Sequence, residues 1–296
     1  MDRPAVLKIT ESQLIQVVEP PVQAAPVVFS SPHSGRNYTP EFLARTSLDP
    51  LTIRRSEDSF VDEIFAEVPE FGAPLVKALF PRAYVDPNRE PYELDPAMFR
   101  EALPAYANTR SPRVAAGLGT IPRVVASGAE IYKAKLGFAE ARSRIETYYR
   151  SYHAALTELI RTTKARFGFC VLIDCHSMPS VGGPMENDAG RPRRVDIILG
   201  DGHGATCAPG LIALVEQTFH ELSYTVRRNA PYSGGYITRS YGRPAGNVHA
   251  LQIEINRALY MDEQRIRRTP RIETVGRHMN TLAEHLCRLG HEAVAA

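Results

Sequence analysis

The chain has 296 residues, 44% of them hydrophobic and 23% charged, with a formal net charge of +2. That length suits one large α/β domain, and the apolar content excludes a disordered chain. The near-balanced charge leaves no electrostatic footprint for nucleic acid or an anionic membrane, so neither is an expected partner. No run approaches the ~18 apolar residues of a membrane span. Residues 1–10 (MDRPAVLKIT) contain no apolar core followed by a small-residue cleavage site. Cys170, Cys175, Cys207 and Cys287 form no CxxC pair and read as reduced core thiols, so a cytoplasmic protein is expected.

In chain order, residues 26–30 (PVVFS) are a β-branched and aromatic run ending in turn chemistry, which predicts a buried strand. Over 59–68, Phe60, Val61, Ile64, Phe65 and Val68 recur at helical spacing, predicting a helix that Pro69 stops. Strands are predicted over 73–79 and, briefly, 82–85, and the long periodic stretch 129–167 predicts one or two helices. Residues 169–174 (FCVLID) and 196–199 (DIIL) read as apolar strands, the second followed by a GDGHG turn. A helix over 209–222, an alternating strand over 248–255 (VHALQIEI) and a last helix over 270–288 complete the reading. Strands alternating with helices predict an α/β fold with a largely parallel sheet covered on both faces, in one domain over 1–296.

Three strands carry reactive residues. The first runs into His33, the FCVLID strand into His176, and the strand over 248–255 contains Glu254. In open α/β sheets ligands bind beyond the carboxyl ends of the strands, so these groups should converge on one crevice. Two histidines and a carboxylate are the usual ligands of a catalytic Zn²⁺. The third ligand should come from Ser56-Glu57-Asp58, one carboxylate binding metal while its neighbour caps the following helix. Gln252, Glu254 and Asn256 form a polar row on one face of their strand, leading into Arg257, as the wall of a site would. A glutamate beside activated water suits a general base that later acts as acid. Arg89, in Asp86-Pro87-Asn88-Arg89, is either a carboxylate fork or a surface ion pair. Residues 229–236 (NAPYSGGY) are a glycine-containing loop, a lid or a plain turn. No GxSxG elbow exists and Cys175 adjoins His176 on the chain, which argues against a nucleophilic serine or cysteine hydrolase.

Taken together, SPHSG (31–35), SEDSFVDEIF (56–65), YVDPNR (84–89), IY (131–132) with the helix ending YRSYH (149–153), DCHSMP (174–179), NAPYSGGY (229–236) and LQIEINRALYMDE (251–263) resemble the N-formylglutamate amidohydrolase family. The seven pieces keep the family's order across nearly the whole chain. The family is similar in fold to zinc carboxypeptidases and aspartoacylases. The resemblance therefore implies a phosphorylase/hydrolase-like, zinc-exopeptidase-like α/β/α sandwich of three layers with a mostly parallel, mixed central sheet. It implies Zn²⁺ as cofactor, held by His33, Asp58 and His176, with Glu57 an alternative because related zinc amidases use a glutamate. It further implies Glu254 as general base, Arg82 as a carbonyl polariser, and Arg89 as the grip on a substrate carboxylate, with Asn88, Asn229, Tyr232 and Arg257 also at the substrate. Ser56-Glu57-Asp58-Ser59 stands where the form of the family known from histidine breakdown has a DTDW-like sequence, a departure that marks a divergent branch. The implied reaction is hydrolysis of the amide of a small N-acylated acidic amino acid such as N-formylglutamate, giving formate and glutamate. The rival readings are a metalloamidase for another N-acyl amino acid or peptide, and a non-catalytic binding protein that retains the fold.

Overall fold

Residues 14–182 and 194–289 are described by a computed structural model of the protein. Residues 1–10, read above for an export signal, lie outside them. The strands are β1 (Ile15–Val18), β2 (Val27–Ser31), β3 (Leu75–Ala78), β4 (Cys170–Met178), β5 (Ile197–Gly200), β6 (Val226–Arg228) and β7 (Val248–Asn256). They form one sheet in the order β1-β3-β2-β4-β7-β5-β6. Pairing is antiparallel only for β1 with β3 and β5 with β7, so the sheet is mixed, with β3, β2, β4 and β7 a parallel block at its middle.

Alternation along the strands sorts side chains onto two faces. Phe29, Ile173, Cys175, Ile253 and Ile255 pack on one face with two flanking elements, α1 (Val61–Ile64) and the long C-terminal helix Arg271–Cys287. Val28, Leu172 and Ala250 pack on the other face with Tyr152, Leu156 and Ile160. These three lie on a helix that runs without a break from Phe138 to Phe167, with a π-helical turn at Ile145–Tyr149. Fully burying such an aliphatic or aromatic side chain contributes about 1.5–3 kcal/mol, so the two faces together hold the three layers. Among the described residues no helix is long and apolar enough to cross a membrane.

The three-layer α/β/α sandwich with a mixed sheet is as expected, but four local readings need correction. The helix predicted over 59–68 is the single turn α1: Phe60, at φ 70°, delays its start to Val61, and the chain leaves it at Phe65 (φ −102°, ψ 15°). Residues 82–85 are a turn closed by Tyr84 N–H donating to the Pro81 carbonyl, where a strand was expected. Residues 129–137 are not helical; they pair through isolated bridges such as Thr46–Tyr132 and Phe99–Leu136, and the helix starts after Gly137. Finally, β4 runs four residues further than FCVLID, so His176 lies inside the strand and not beyond it.

Candidate active site

The apolar pattern on the second face of the sheet stops halfway along. Going up β4 the residues on that face are Cys170, Leu172, Asp174 and His176; on β7 they are Ala250, Gln252 and Glu254. β2 contributes Val28 and then Ser30, and ends at Ser31, two residues before His33. His176 and Glu254 are register partners across β4 and β7. Strands so paired are about 4.8 Å apart, which puts the two side chains next to each other on one face.

His33, Asp58 and His176 are each 2% exposed and present ligand atoms within 4.8 Å of one another. His33 Nδ1 lies 3.3 Å, and His176 Nδ1 3.0 Å, from the same Asp58 oxygen, Oδ2. The outer nitrogen of each ring meets a further buried carboxylate: His33 Nε2 is 2.8 Å from Asp86 Oδ1, and His176 Nε2 is 2.9 Å from Asp174 Oδ2. Carboxylates behind metal-binding histidines fix the tautomer and orient the ring. Two imidazoles backed in this way, with one carboxylate between them, fit a divalent ion.

Asp58 is held from both sides. Arg257 Nη2 donates to Oδ1 at 2.9 Å while Oδ2 faces the histidines. Burial raises its carboxyl, but hydrogen bonds from His176 and His33 and their charge outweigh this and hold it well below the usual carboxylate range. Burial likewise opposes ionisation of Asp86, yet Arg82, Arg89 and His33 hold it well below that range. His176 is the converse: burial lowers it, and the Asp174 and Asp58 carboxylates override burial and raise it well above its ordinary value. Glu254 is 7% exposed. Burial pushes its carboxyl up to about 7, with His176 pulling it down and Asp58 pushing it up. Gln252 Nε2 donates to Glu254 Oε1 at 2.7 Å, and the amide cannot flip because Gln252 Oε1 accepts from Gly235 N–H at 2.6 Å.

The other expected residues divide into two groups. Arg82 is brought to the cluster, donating to Asp86 Oδ2 at 2.8 Å. Asn88 Nδ2 lies 3.2 Å from His176 Nε2, while Asn88 Oδ1 accepts from Ile237 N–H at 2.8 Å. A Cβ on Gly235 would lie 2.3 Å from Asn88 Nδ2, so the 229–236 loop needs glycine where it crosses this side chain. Arg89 Nε donates to the Leu118 carbonyl and Nη1 to the Asn88 carbonyl, both at 2.8 Å, while Nη2 stands 3.6 Å from Asp86 Oδ2. Arg257, expected at the substrate, is spent on Asp58 and Ser177 Oγ. Asn229 and Tyr232 engage other parts of the chain. Asn229 Oδ1 accepts from Asp201 N–H and Nδ2 donates to Asp201 Oδ1, and the Tyr232 hydroxyl accepts from Arg194.

Glu57 does not do what its position suggested. Its carboxylate accepts from Arg54, Tyr38 and Ser59, and the N-terminus of α1 is met instead by Ser34, whose Oγ accepts from Asp62 N–H at 3.2 Å. Asp86 and Asp174 were not expected as supports, although Asp174, the one acid in the apolar run 169–174 and two residues before His176, carried a signal. Tyr149, whose hydroxyl donates to the Arg89 carbonyl, and His153, whose Nε2 donates to the Pro87 carbonyl, also hold the 86–89 loop. Their helical spacing alone reads as core.

The sequence profile of the N-formylglutamate amidohydrolase family matches residues 25–261. A Pseudomonas aeruginosa protein named N-formylglutamate deformylase is 30% identical over 242 residues, 81% of this chain and 83% of that one. A protein of the same name from Pseudomonas putida is 28% identical over 241 residues, 80% and 82% of the two chains. The crystal structure of an N-formylglutamate amidohydrolase from Ralstonia eutropha JMP134 superposes with a TM-score of 0.85 at 37% identity, covering 93% of this chain and 97% of that one.

Proposed function

Because the chain belongs to the N-formylglutamate amidohydrolase family, we propose that it hydrolyses the formyl amide of N-formylglutamate to formate and glutamate, using Zn²⁺ held by His33, Asp58 and His176. The observation that carries the metal reading is the pair of histidines, each with its outer nitrogen on a buried carboxylate and its inner nitrogen aimed at Asp58 Oδ2. When bound, such an ion supplies Lewis acidity, acidifying water and polarising a carbonyl.

The chain's own residues do the rest. Glu254 takes a proton from the attacking water as its oxygen bonds to the formyl carbon, and returns that proton to the nitrogen as the C–N bond breaks. Gln252 keeps one carboxylate oxygen engaged, which leaves the other for this transfer. Arg82, already beside Asp86, is the side chain we assign to the charge that develops on the carbonyl oxygen. Arg82, Arg89 and Arg257 balance Asp58, Asp86 and Asp174, so a divalent ion leaves the site net positive even with Glu254 ionised. That favours an anionic substrate over a neutral one. Arg89 is the side chain we assign to a substrate carboxylate. Burial pushes its guanidinium below its ordinary value, Asp86 offsets only part of this, and Arg113 and Arg82 add to burial, so an incoming anion relieves the charge that Asp86 leaves uncompensated.

The test is a substrate comparison. N-formylglutamate should be cleaved with a kcat/KM about 10- to 100-fold above that for its α-carboxamide, as expected for a hydrogen bond to a charged group. Arg89→Lys keeps the charge but loses the fork, and should lose a similar factor on the free acid and little more on the amide. Equal cleavage of acid and amide by the wild type would refute the acidic-substrate reading, and additive losses would put Arg89 outside the carboxylate site.

A further inference from the structure

Behind His176 lies a buried chain of hydrogen bonds that the reaction itself does not use. The Tyr152 hydroxyl and Ser30 Oγ are 2.8 Å apart, Ser30 Oγ donates to Asp174 Oδ1 at 3.0 Å, and Asp174 Oδ2 is 2.9 Å from His176 Nε2. Ser30, Asp174 and Tyr152 are fully buried, so no water substitutes for any of these contacts.

The direction of the whole chain follows from one group. A carboxylate only accepts, so Ser30 must spend its single proton on Asp174. Ser30 then has only lone pairs left for Tyr152, which must therefore donate. The other oxygen of Asp174 takes the proton on His176 Nε2, so Nδ1, the atom facing Asp58, is the nitrogen that would give up its proton and offer its lone pair to a metal ion. Asn88 Nδ2 also approaches Nε2, at 3.2 Å, but the carboxylate is nearer and charged, and so it sets where the proton sits. Burial, with the charge of Asp174 added, pushes the Tyr152 phenol well above its ordinary value, so Tyr152 keeps the proton it donates.

We infer that Ser30 and Tyr152 are positioning residues for the metal: they fix the Asp174 carboxylate, which in turn fixes the tautomer and aim of His176. This rests on the metal reading above and assigns two residues, one on β2 and one on the long helix, that touch neither metal nor substrate.

Zinc affinity, measured by competition with a chromogenic chelator on the full-length protein, tests it without any turnover assay. Losing a partner behind a metal ligand weakens affinity by about 10- to 100-fold. Asp174→Ala is expected at the upper end of that range, Ser30→Ala at the lower end, and Tyr152→Phe below Ser30→Ala in the same direction. Ser30→Thr, which keeps the hydroxyl, should bind as the wild type does. Ser30→Ala made in the Asp174→Ala background should add nothing, because the relay is already cut. A serine that merely packs would lower the melting temperature of metal-free protein yet leave the affinity of the folded form unchanged. That result, or additive losses in the double variant, overturns the inference. A wild type that binds no zinc would instead overturn the metal reading, and the relay with it.

Discussion

Replacing Glu254 by glutamine should lower kcat at least ~100-fold while KM and bound metal stay near wild type, the pattern of a lost general base. The substitution is nearly isosteric, and Gln252, which now donates to Glu254 Oε1, can still donate to the new amide oxygen. What disappears is a group that can hold a proton between two steps. Burial pushes this carboxyl up to about 7, and a nearby dication would pull it lower. Since the base works only when ionised, the wild-type rate should climb with pH below neutrality, and that limb should be missing in the variant. An unchanged kcat would reduce Glu254 to the polar face of a strand.

The second large effect is expected at Asp58. Asp58→Asn keeps an oxygen for Arg257 and should fold, but its neutral amide is a poor ligand, so stoichiometric zinc and activity should both be lost. Asp58→Ala should do the same and also destabilise by about 3–5 kcal/mol, because Arg257 is left as an unpaired buried cation. Glu57→Ala is the control that separates the neighbours. It removes the carboxylate from Arg54 and the nearer of two acceptors from the Tyr38 hydroxyl, costing about 1–3 kcal/mol of stability, while zinc and kcat survive. Zinc retained in Asp58→Asn and lost in Glu57→Ala would reverse the assignment.

The strands that carry the site were legible because two are short apolar runs bounded by turn chemistry and the third alternates between an apolar and a polar face. His33, His176 and Glu254 stood out for the same reason, as polar groups in or just after such runs. Asp58 and Glu57 could not be separated from spacing, since both are acids in one turn; only partners distinguish them, and those of Asp58 come from distant segments. Asp58 meets Arg257, 199 residues away, whereas Glu57 meets Arg54, three residues away. The same holds for Arg257, whose position after a polar row suggested the substrate although its guanidinium is spent on Asp58. The helix over 59–68 failed for a different reason. Its apolar pattern is satisfied, with Val61, Ile64, Phe65 and Val68 all buried, but the backbone turns at Phe60 and again at Phe65, and periodicity does not report on that.

Formate release before and after metal removal decides whether deformylation needs a metal ion at His33, Asp58 and His176. Protein stripped with a chelator should release no formate from N-formylglutamate, and about one equivalent of Zn²⁺ per chain should restore the rate. Release of formate at the full rate by metal-free protein in the presence of chelator would mean that the reaction needs no metal.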